Sequence, residues 1–576
     1  MTVPRPEYPR PQMVRQDWLN LNGIWELEID SGRSGRERGL PTADRLAGSI
    51  LVPFCPESSL SGVGNKDFMI AVWYRRAFTV PAEWAGKRIL LHFGAVDYGT
   101  EAWVNGQSVG THRGGYTPFT FDITDCLQPG ENVVTVCAED DTRSLLQPSG
   151  KQSPRYESFG CMYTRTTGIW QTVWLEPVPQ TYLGRPRITP DLENGVAYLQ
   201  VPVIGDVSGL VLQAEAFLEG REVAKATAKP SGHVFRAALV LSEVRPWAPG
   251  SPNLYDLTLT VAGPGGPVDV VTTYFGLRSV TLAPPAILLN GKPVFQRLVL
   301  DQGFYPEGVY TAPSDDALRR DIELSQAVGF NGARLHQKVF EERFLYWADR
   351  LGYLVWGEFP SWGLDPKLPG ALERFLPEWL EVLERDYSHP CIVGWCPFNE
   401  TKPDQNPTVL RNVYLATKAA DHTRPVIDAS GWTHVVCDVY DSHDYDQNTE
   451  AFAARHAPFA AGGEPLVNNP REAIPWRGQA YFVSEYGGIW WNPGQTGEKS
   501  WGYGARPQDH EEFYARYRAL TETLLKHPRM CAFCYTQLTD VEQEVNGIYT
   551  YTREPKHDPA ILRAINSQRA AIEEPP

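Results

Sequence analysis

Basic residues are in deficit in this 576-residue chain: 53 Lys and Arg face 69 Asp and Glu, a formal charge of −16. Binding nucleic acid needs a basic face, so that class of partner is excluded. Cysteine is sparse, with nine residues scattered from Cys55 to Cys534. An odd, unclustered set argues against a disulfide framework. The one Cys-x-x-Cys, Cys531 and Cys534, lies in an apolar strand-like run, where the two side chains face opposite ways rather than toward one zinc. No run of about 18 apolar residues occurs, so no membrane partner is expected. The stretch from Met1 to Trp18 is polar and Pro-rich with no apolar leader core, and the expectation is a cytoplasmic, reduced, soluble protein. There is no Gly-rich phosphate loop before a helix, no His-Glu-x-x-His and no Gly-x-Ser-x-Gly. Nucleotide hydrolysis, zinc proteolysis and serine esterase chemistry therefore lack their parts.

Aromatic residues are abundant, with 18 Trp and 26 Tyr. That suits stacking on sugar rings and also large β domains. From Trp18 to about Pro179, short alternating runs such as Arg88 to Phe93 are split by Gly, Pro and Asn, with Asn105-Gly106 a strong hairpin signal. This predicts a jelly-roll β-sandwich over 1–180. A second β block, 181–282, has the size and alternation of an immunoglobulin-like sandwich. Beyond about Ala283, strand-like runs alternate with amphipathic helices, predicted over 315–328, 340–351 and 509–526 among others. Strand five is expected near Val426–Ala429 and strand six near Val435–Tyr440. Eight strands with intervening helices in about 290 residues is the pattern of a (β/α)8 barrel over 283–576.

Within that barrel one stretch stands out: an apolar run from Cys391 to Trp395, bounded by Pro390 and Pro397, that leads through Phe398 to Asn399 and Glu400. A buried strand ending on a carboxylate is costly unless the carboxylate is used. A second such run ends at Glu485. Function in these barrels sits at the C-terminal strand ends, so barrel closure would bring Glu400 and Glu485 face to face. Paired carboxylates of this kind are the equipment of glycoside hydrolysis, and burial with mutual repulsion is expected to raise one pKa and leave the other low. Other strand ends carry Asp301, Gln302, Arg334, His336, Lys338, Glu358, Asp428, Tyr440, His443, Asp444, Gln537 and Asp540. Each alone is more often structural; as a ring they suit a hydroxyl-rich ligand.

The chain resembles glycoside hydrolase family 2, which includes β-galactosidases, β-glucuronidases and β-mannosidases. The resemblance rests on Trp18 to Trp25, on Glu101 to Gly106 with His112 to Tyr116, and on Gly168 to Gln171. In the barrel it rests on Asn290 to Pro293, Arg385 to Glu400 and Phe482 to Gly487. It implies a retaining double displacement, with Glu485 as nucleophile and Glu400 as acid/base. It also implies that Asn399 bonds the sugar 2-hydroxyl and that Tyr440, with Tyr445 as fallback, touches the nucleophile.

Departures from the family pattern concern the sugar. Leu298 to Gln302 lacks the usual histidine, so Asp301 is the candidate replacement. The magnesium-ligand segment of β-galactosidases is absent after Glu358, so no metal and no other cofactor is expected. The Asn-x-Lys with which β-glucuronidases read a sugar carboxylate, just before a Gly-Ile segment, has no lysine in the matching Glu544-Val545-Asn546-Gly547-Ile548, which leaves Arg165, Arg334 or Lys338 to meet an acidic sugar. The first expectation is an exo-acting β-glycosidase on a β-galactoside-like sugar, including an α-L-arabinopyranoside or a β-galacturonide. The alternatives are a β-glucuronidase-type activity and a non-catalytic carbohydrate-binding protein on an inactivated barrel. The expected partner is an oligosaccharide or glycoside, and a homo-oligomer is compatible with the three-domain plan.

Overall fold

A computed structural model describes residues 3–495 and 500–573. The first β block forms two antiparallel sheets. One has the order Leu19–Asn20, Val173–Val178, Arg88–Phe93, Phe119–Asp122; the other runs Gly48–Val52, Gly23–Ile29, Ala71–Thr79, Glu131–Glu139, Gly99–Val104, Gln107–Arg113. Alternate residues, among them Trp25, Leu27, Tyr74, Leu91, Phe93, Val134 and Leu175, pack between them. Such period-two burial is what the sequence alternation requires. Asn105 (φ +50°) and Gly106 (φ +78°) make the expected tight turn. The second block stacks the four-stranded sheet Arg221–Ala228, Val211–Leu218, Tyr255–Gly263, Gly266–Phe275 on a sheet built around Val196–Ile204 and Val234–Val240. A small three-stranded sheet, Val280–Ala283, Ala286–Leu289 and Lys292–Pro293, lies where the barrel was expected to begin.

The barrel strands are β1 (Gln296–Asp301), β2 (Gly332–Leu335), β3 (Leu354–Glu358), β4 (Ile392–Cys396), β5 (Ala429–Ser430), β6 (Val439–Asp444), β7 (Ala480–Gly487) and β8 (Ala532–Thr536). Seven of them form one curled parallel sheet in the order β4-β3-β2-β1-β8-β7-β6. The gap between β4 and β6 is filled by β5, which pairs with Phe398–Asn399, and by residues 425–427, which bond to Trp395. Around it lie α1 (Asp315–Ala327), α2 (Glu342–Leu351), α3 (Ala371–Asp386), α4 (Pro407–Ala420), α5 (Thr449–Ala460), α6 (His510–Leu525) and α7 (Pro559–Asn566). Ser314 caps α1 by accepting from Ala317 N at 3.2 Å, and Asp509 caps α6 by accepting from Glu512 N at 2.9 Å. The capping box is a variant, because Glu512 bonds Gln508 N rather than Asp509 N.

Strand six differs from expectation. It begins at Val439, not Val435, because the Val435 and Val436 amides are taken by the Asp428 carboxylate at 2.5 and 2.9 Å and cannot join a ladder.

The three domains are stapled together. Arg5 forks onto Glu341 of the barrel at 2.9 and 2.8 Å. Arg15 bonds Glu176 of the jelly roll and Asp269 of the second sandwich. Trp247 is fully buried and donates to Asp349 O at 2.7 Å. At His112 to Tyr116 the jelly roll docks on α3: Tyr116 N donates to Glu378 Oε1 at 2.8 Å. A Cβ on Gly115 would lie 2.7 Å from Asp97 Oδ1, so this close approach requires glycine.

Candidate active site

The ends of β2, β4, β6 and β7 converge on one cluster. Glu485, on β7, is 4 % exposed. Its Oε1 accepts from Arg334 Nη2, and its Oε2 accepts from Tyr445 OH at 2.5 Å. Arg334, on β2, is fully buried and also donates to Glu358 Oε2 at 2.5 Å and Asn399 Oδ1 at 3.1 Å. One guanidinium thus holds three strand ends, a geometry its planar fork supplies and lysine would not. Tyr445 stacks on Tyr503, rings 3.6 Å apart and 5° from parallel, which fixes the phenol.

Glu400 follows Phe398–Asn399 with φ +47°, a left-handed conformation costly for a non-glycine residue. Its amide donates to Ser430 O at 2.9 Å. Its Oε1 lies 2.8 Å from His443 Nδ1, and the same nitrogen is 3.4 Å from Glu485 Oε2. An oxygen of each carboxylate and a ring nitrogen of His443 all lie within 4.8 Å of one another.

Hydrogen bonding places a proton here. Ser430 Oγ donates to the Asp441 carboxylate at 2.9 Å and has no second hydrogen, so it accepts from His443 Nε2 at 3.1 Å. Nε2 is then protonated, and the 2.8 Å contact between Nδ1 and Glu400 needs a second proton shared by the pair. Burial alone would raise the Glu400 pKa, but the hydrogen bond and charge of His443 outweigh it and hold the carboxyl below its usual range. Burial likewise opposes charging His443, yet the Glu485 charge and the bond to Glu400 push it up. The proton therefore rests on the imidazole side, and the expected raised carboxyl at Glu400 is not found. Asp441 is anchored in turn by His434, which bridges it to Asp428.

Other expected residues divide. Asn399 is buried, and among the described residues its Nδ2 has no hydrogen-bond partner, which leaves it open to a ligand. His336 has Nδ1 2.9 Å from Glu358 Oε1 without hydrogen-bond geometry, and burial holds it neutral, its pKa well below the usual value. Gln537, just past β8, accepts from Gln302 Nε2 at 2.5 Å and donates to Asn546 Oδ1 at 2.8 Å; Asn546 donates to Glu544 Oε1 at 3.0 Å.

Four expectations are corrected. Tyr440 lies at the start of β6, not its end, and donates to Ile474 O at 2.8 Å; Tyr445 is the tyrosine on Glu485. Asp301 has the parity of Arg297, which bonds Asn566 and Glu573 outside the barrel; the charges it meets are Asp321, Arg553 and Lys338. Burial, with Asp321 next, pushes it up to about 7. Lys338 spends its ammonium on Gly303 O (2.5 Å) and Tyr310 O (2.8 Å), and burial pulls it down to about 7. Arg165 clamps its own loop through the carbonyls of Ser153 and Arg155 and ties it to Lys66 O, with its guanidinium 4.0 Å from the Phe68 ring centre.

The jelly-roll loop 140–167 closes one side of the site. Ser149 N donates to Trp362 O at 2.8 Å, Gln543 Nε2 donates to Gly160 O at 2.7 Å, and Tyr163 OH donates to Glu544 Oε2. Between this loop and the barrel lies a cavity of about 680 Å³, lined by Gln152, Met162, Trp362, Asn399, Glu400 and Trp432 among others. Lys151 was not anticipated; nothing local in the sequence distinguishes this loop lysine from a solvated one.

Among the described residues, three clusters have a spacing that could hold a cation: Glu400 with His443 and Glu485, Asp428 with His434 and Cys437, and Asp349 with His389 and Cys391. In the second, His434, Val435 N and Val436 N already occupy both Asp428 oxygens.

Family profiles agree with this architecture. The profile for the sugar-binding domain of glycosyl hydrolases family 2 matches residues 64–175, the family's general profile matches 181–278, and its TIM-barrel profile matches 285–468. The chain is 28 % identical over 470 residues to a β-glucuronidase of Felis catus, covering 73 % of this chain and 69 % of that one. It is also 28 % identical over 358 residues to a β-galactosidase of Thermoanaerobacter pseudethanolicus, covering 59 % and 46 %. A β-glucuronidase from Ruminococcus gnavus in complex with D-glucuronic acid shares the fold, with a TM-score of 0.80 at 19 % identity over 97 % of this chain and 99 % of that one. The jelly roll, the second sandwich and the (β/α)8 barrel that frame Glu400 and Glu485 are those of a glycoside hydrolase, and the chain belongs to glycoside hydrolase family 2.

Proposed function

We propose that the protein is an exo-acting, retaining β-glycosidase whose sugar is an acidic one of the β-glucuronide type. The observation that carries the mechanism is the approach of Glu400 and Glu485 to within 4.8 Å through one imidazole. Retaining enzymes keep their carboxyls about 5–5.5 Å apart, whereas inverting ones leave about 6.5–9.5 Å for a water. Glu485, its oxygens held by Arg334 and Tyr445, is the ionised nucleophile that attacks the anomeric carbon. Glu400 protonates the departing glycosidic oxygen with the proton it shares with His443. Water, giving a proton back to the Glu400–His443 pair, then cleaves the glycosyl ester on Glu485. Asn399 Nδ2 meets the sugar 2-hydroxyl.

The sugar assignment rests on the relatives. The β-glucuronidases of Felis catus, Canis lupus familiaris, Rattus norvegicus and Paenibacillus borealis each match at least 70 % of the chain, against 59 % for the β-galactosidase. The first expectation of a β-galactoside gives way to them.

The test is a panel of p-nitrophenyl β-D-glucuronide, β-D-galacturonide, β-D-galactoside and α-L-arabinopyranoside, followed by trapping with the 2-fluoro analogue of the best substrate. Uronides should lead and the label should sit on Glu485. Label on another residue, or product of inverted configuration, would overturn the mechanism; a leading neutral glycoside would overturn the sugar.

A further inference from the structure

We propose that Lys151, carried on the jelly-roll loop 140–167, is the residue that binds the carboxylate of the substrate sugar. The inference rests on the acidic-sugar reading above and names the recognition element for it.

A cation buried in protein is expensive unless an anion meets it. Lys151 is 6 % exposed, and among the described residues no carboxylate lies within ion-pair distance of its ammonium. The other basic residues near the site are committed: Arg334 to Glu358, Asn399 and Glu485, and Lys338 to two backbone carbonyls. The Lys151 ammonium instead lies 4.3 Å from the ring centre of Trp362, a residue that lines the cavity beside Glu400. It also meets the Cys161 thiol, which burial keeps protonated. Burial works against its charge, but the Glu544, Glu485 and Glu400 carboxylates favour it and keep the ammonium charged.

Lys151 is therefore a retained positive charge that interacts with Glu544 and with both carboxylates of the reacting pair. Glu544 accepts from Asn546, which stands, just before Gly547-Ile548, at the place where the Asn-x-Lys of glucuronidases would carry its lysine. A cation supplied from the first domain restores, from the other wall of the site, the charge that the barrel loop lacks. The backbone around Lys151 is held in place on both sides. Tyr163 N donates to Lys151 O at 2.8 Å, and a Cβ on the preceding Gly150 would lie 2.1 Å from Gln337 O.

The experiment compares p-nitrophenyl β-D-glucuronide with p-nitrophenyl β-D-glucoside, which differ only in carboxylate against hydroxymethyl, on the full-length wild type, K151M and K151Q. A hydrogen-bonded charge pair of this kind is worth roughly 10- to 100-fold, so kcat/KM for the glucuronide should fall by about that factor while the glucoside changes less than about threefold. The glucoside rate also reports that each variant is folded. Equal losses on both substrates, or an unchanged glucuronide-to-glucoside ratio in either variant, would overturn the role of Lys151 while leaving the acidic-sugar reading intact. A wild type that cleaves the glucoside and no uronide would overturn both.

Discussion

His443 Nδ1 lies 2.8 Å from Glu400 Oε1, and the hydrogen bond that Ser430 accepts from the opposite ring nitrogen leaves one proton to be shared across that contact. The pair, rather than the carboxyl alone, is what must be protonated before the leaving group can depart. The basic limb of kcat/KM therefore reports the pair, and activity falls as pH rises through the raised His443 pKa. In H443Q the second proton holder is gone, Glu400 titrates by itself, and the basic limb should move to lower pH. A pH–rate profile with the limb unmoved would remove His443 from the proton path.

Glu400→Ala should discriminate by leaving group. Protonation matters most where the departing alkoxide is basic, so alkyl glycosides should lose about 10²–10⁴-fold in kcat/KM. Dinitrophenyl glycosides, whose leaving group needs no proton, should lose far less in the glycosylation step. A uniform loss across a Brønsted series would contradict the acid role.

Tyr445→Phe keeps the ring stacked on Tyr503 and deletes only the hydrogen bond to Glu485 Oε2. A hydrogen bond to a charged group is worth about 1.5–3 kcal/mol, so kcat/KM should fall roughly 10- to 150-fold. The same substitution at Tyr440, whose hydroxyl serves Ile474 O, should leave kcat/KM within about threefold. Steady-state assays of the two variants side by side check the reassignment.

That reassignment shows where the sequence was legible. The apolar run before Asn399-Glu400 and the run ending at Glu485 declare themselves, because a buried strand has few ways to end on a carboxylate. Tyr440 was misplaced because Val435, Val436 and Cys437 look like a strand start, whereas their chain is turned by the Asp428 carboxylate, a contact that apolar patterning does not encode. Asp301 was legible in principle: strict alternation puts Leu298 and Leu300 on one face of β1 and Arg297, Val299 and Asp301 on the other. Lys151 had no local signal, since what sets it apart is a wall of the site built by another domain.

Glu378 gives a stability prediction. Burial pushes its carboxyl up to about 8 from 4.5. A raised folded-state pKa contributes stability that is fully present below the unfolded value and is lost as pH rises through the folded one, here between about 4.5 and 8. Glu378→Gln keeps an oxygen to accept from Tyr116 N and carries no charge. Its Tm should therefore fall less than that of the wild type between pH 5 and 8. Thermal melts across that range that run parallel for the two proteins would refute a protonated Glu378.

The bond from Tyr163 to Glu544 spans 381 residues. During synthesis the jelly roll emerges before the barrel, yet its loop 140–167 has no partner at Gln543 or Glu544 until nearly the whole barrel has been made. Hydrolysis by a growing chain would thus be silent until β8 and the segment that carries Gln543 and Glu544 are in place, and first turnover reports that this barrel segment has met the loop.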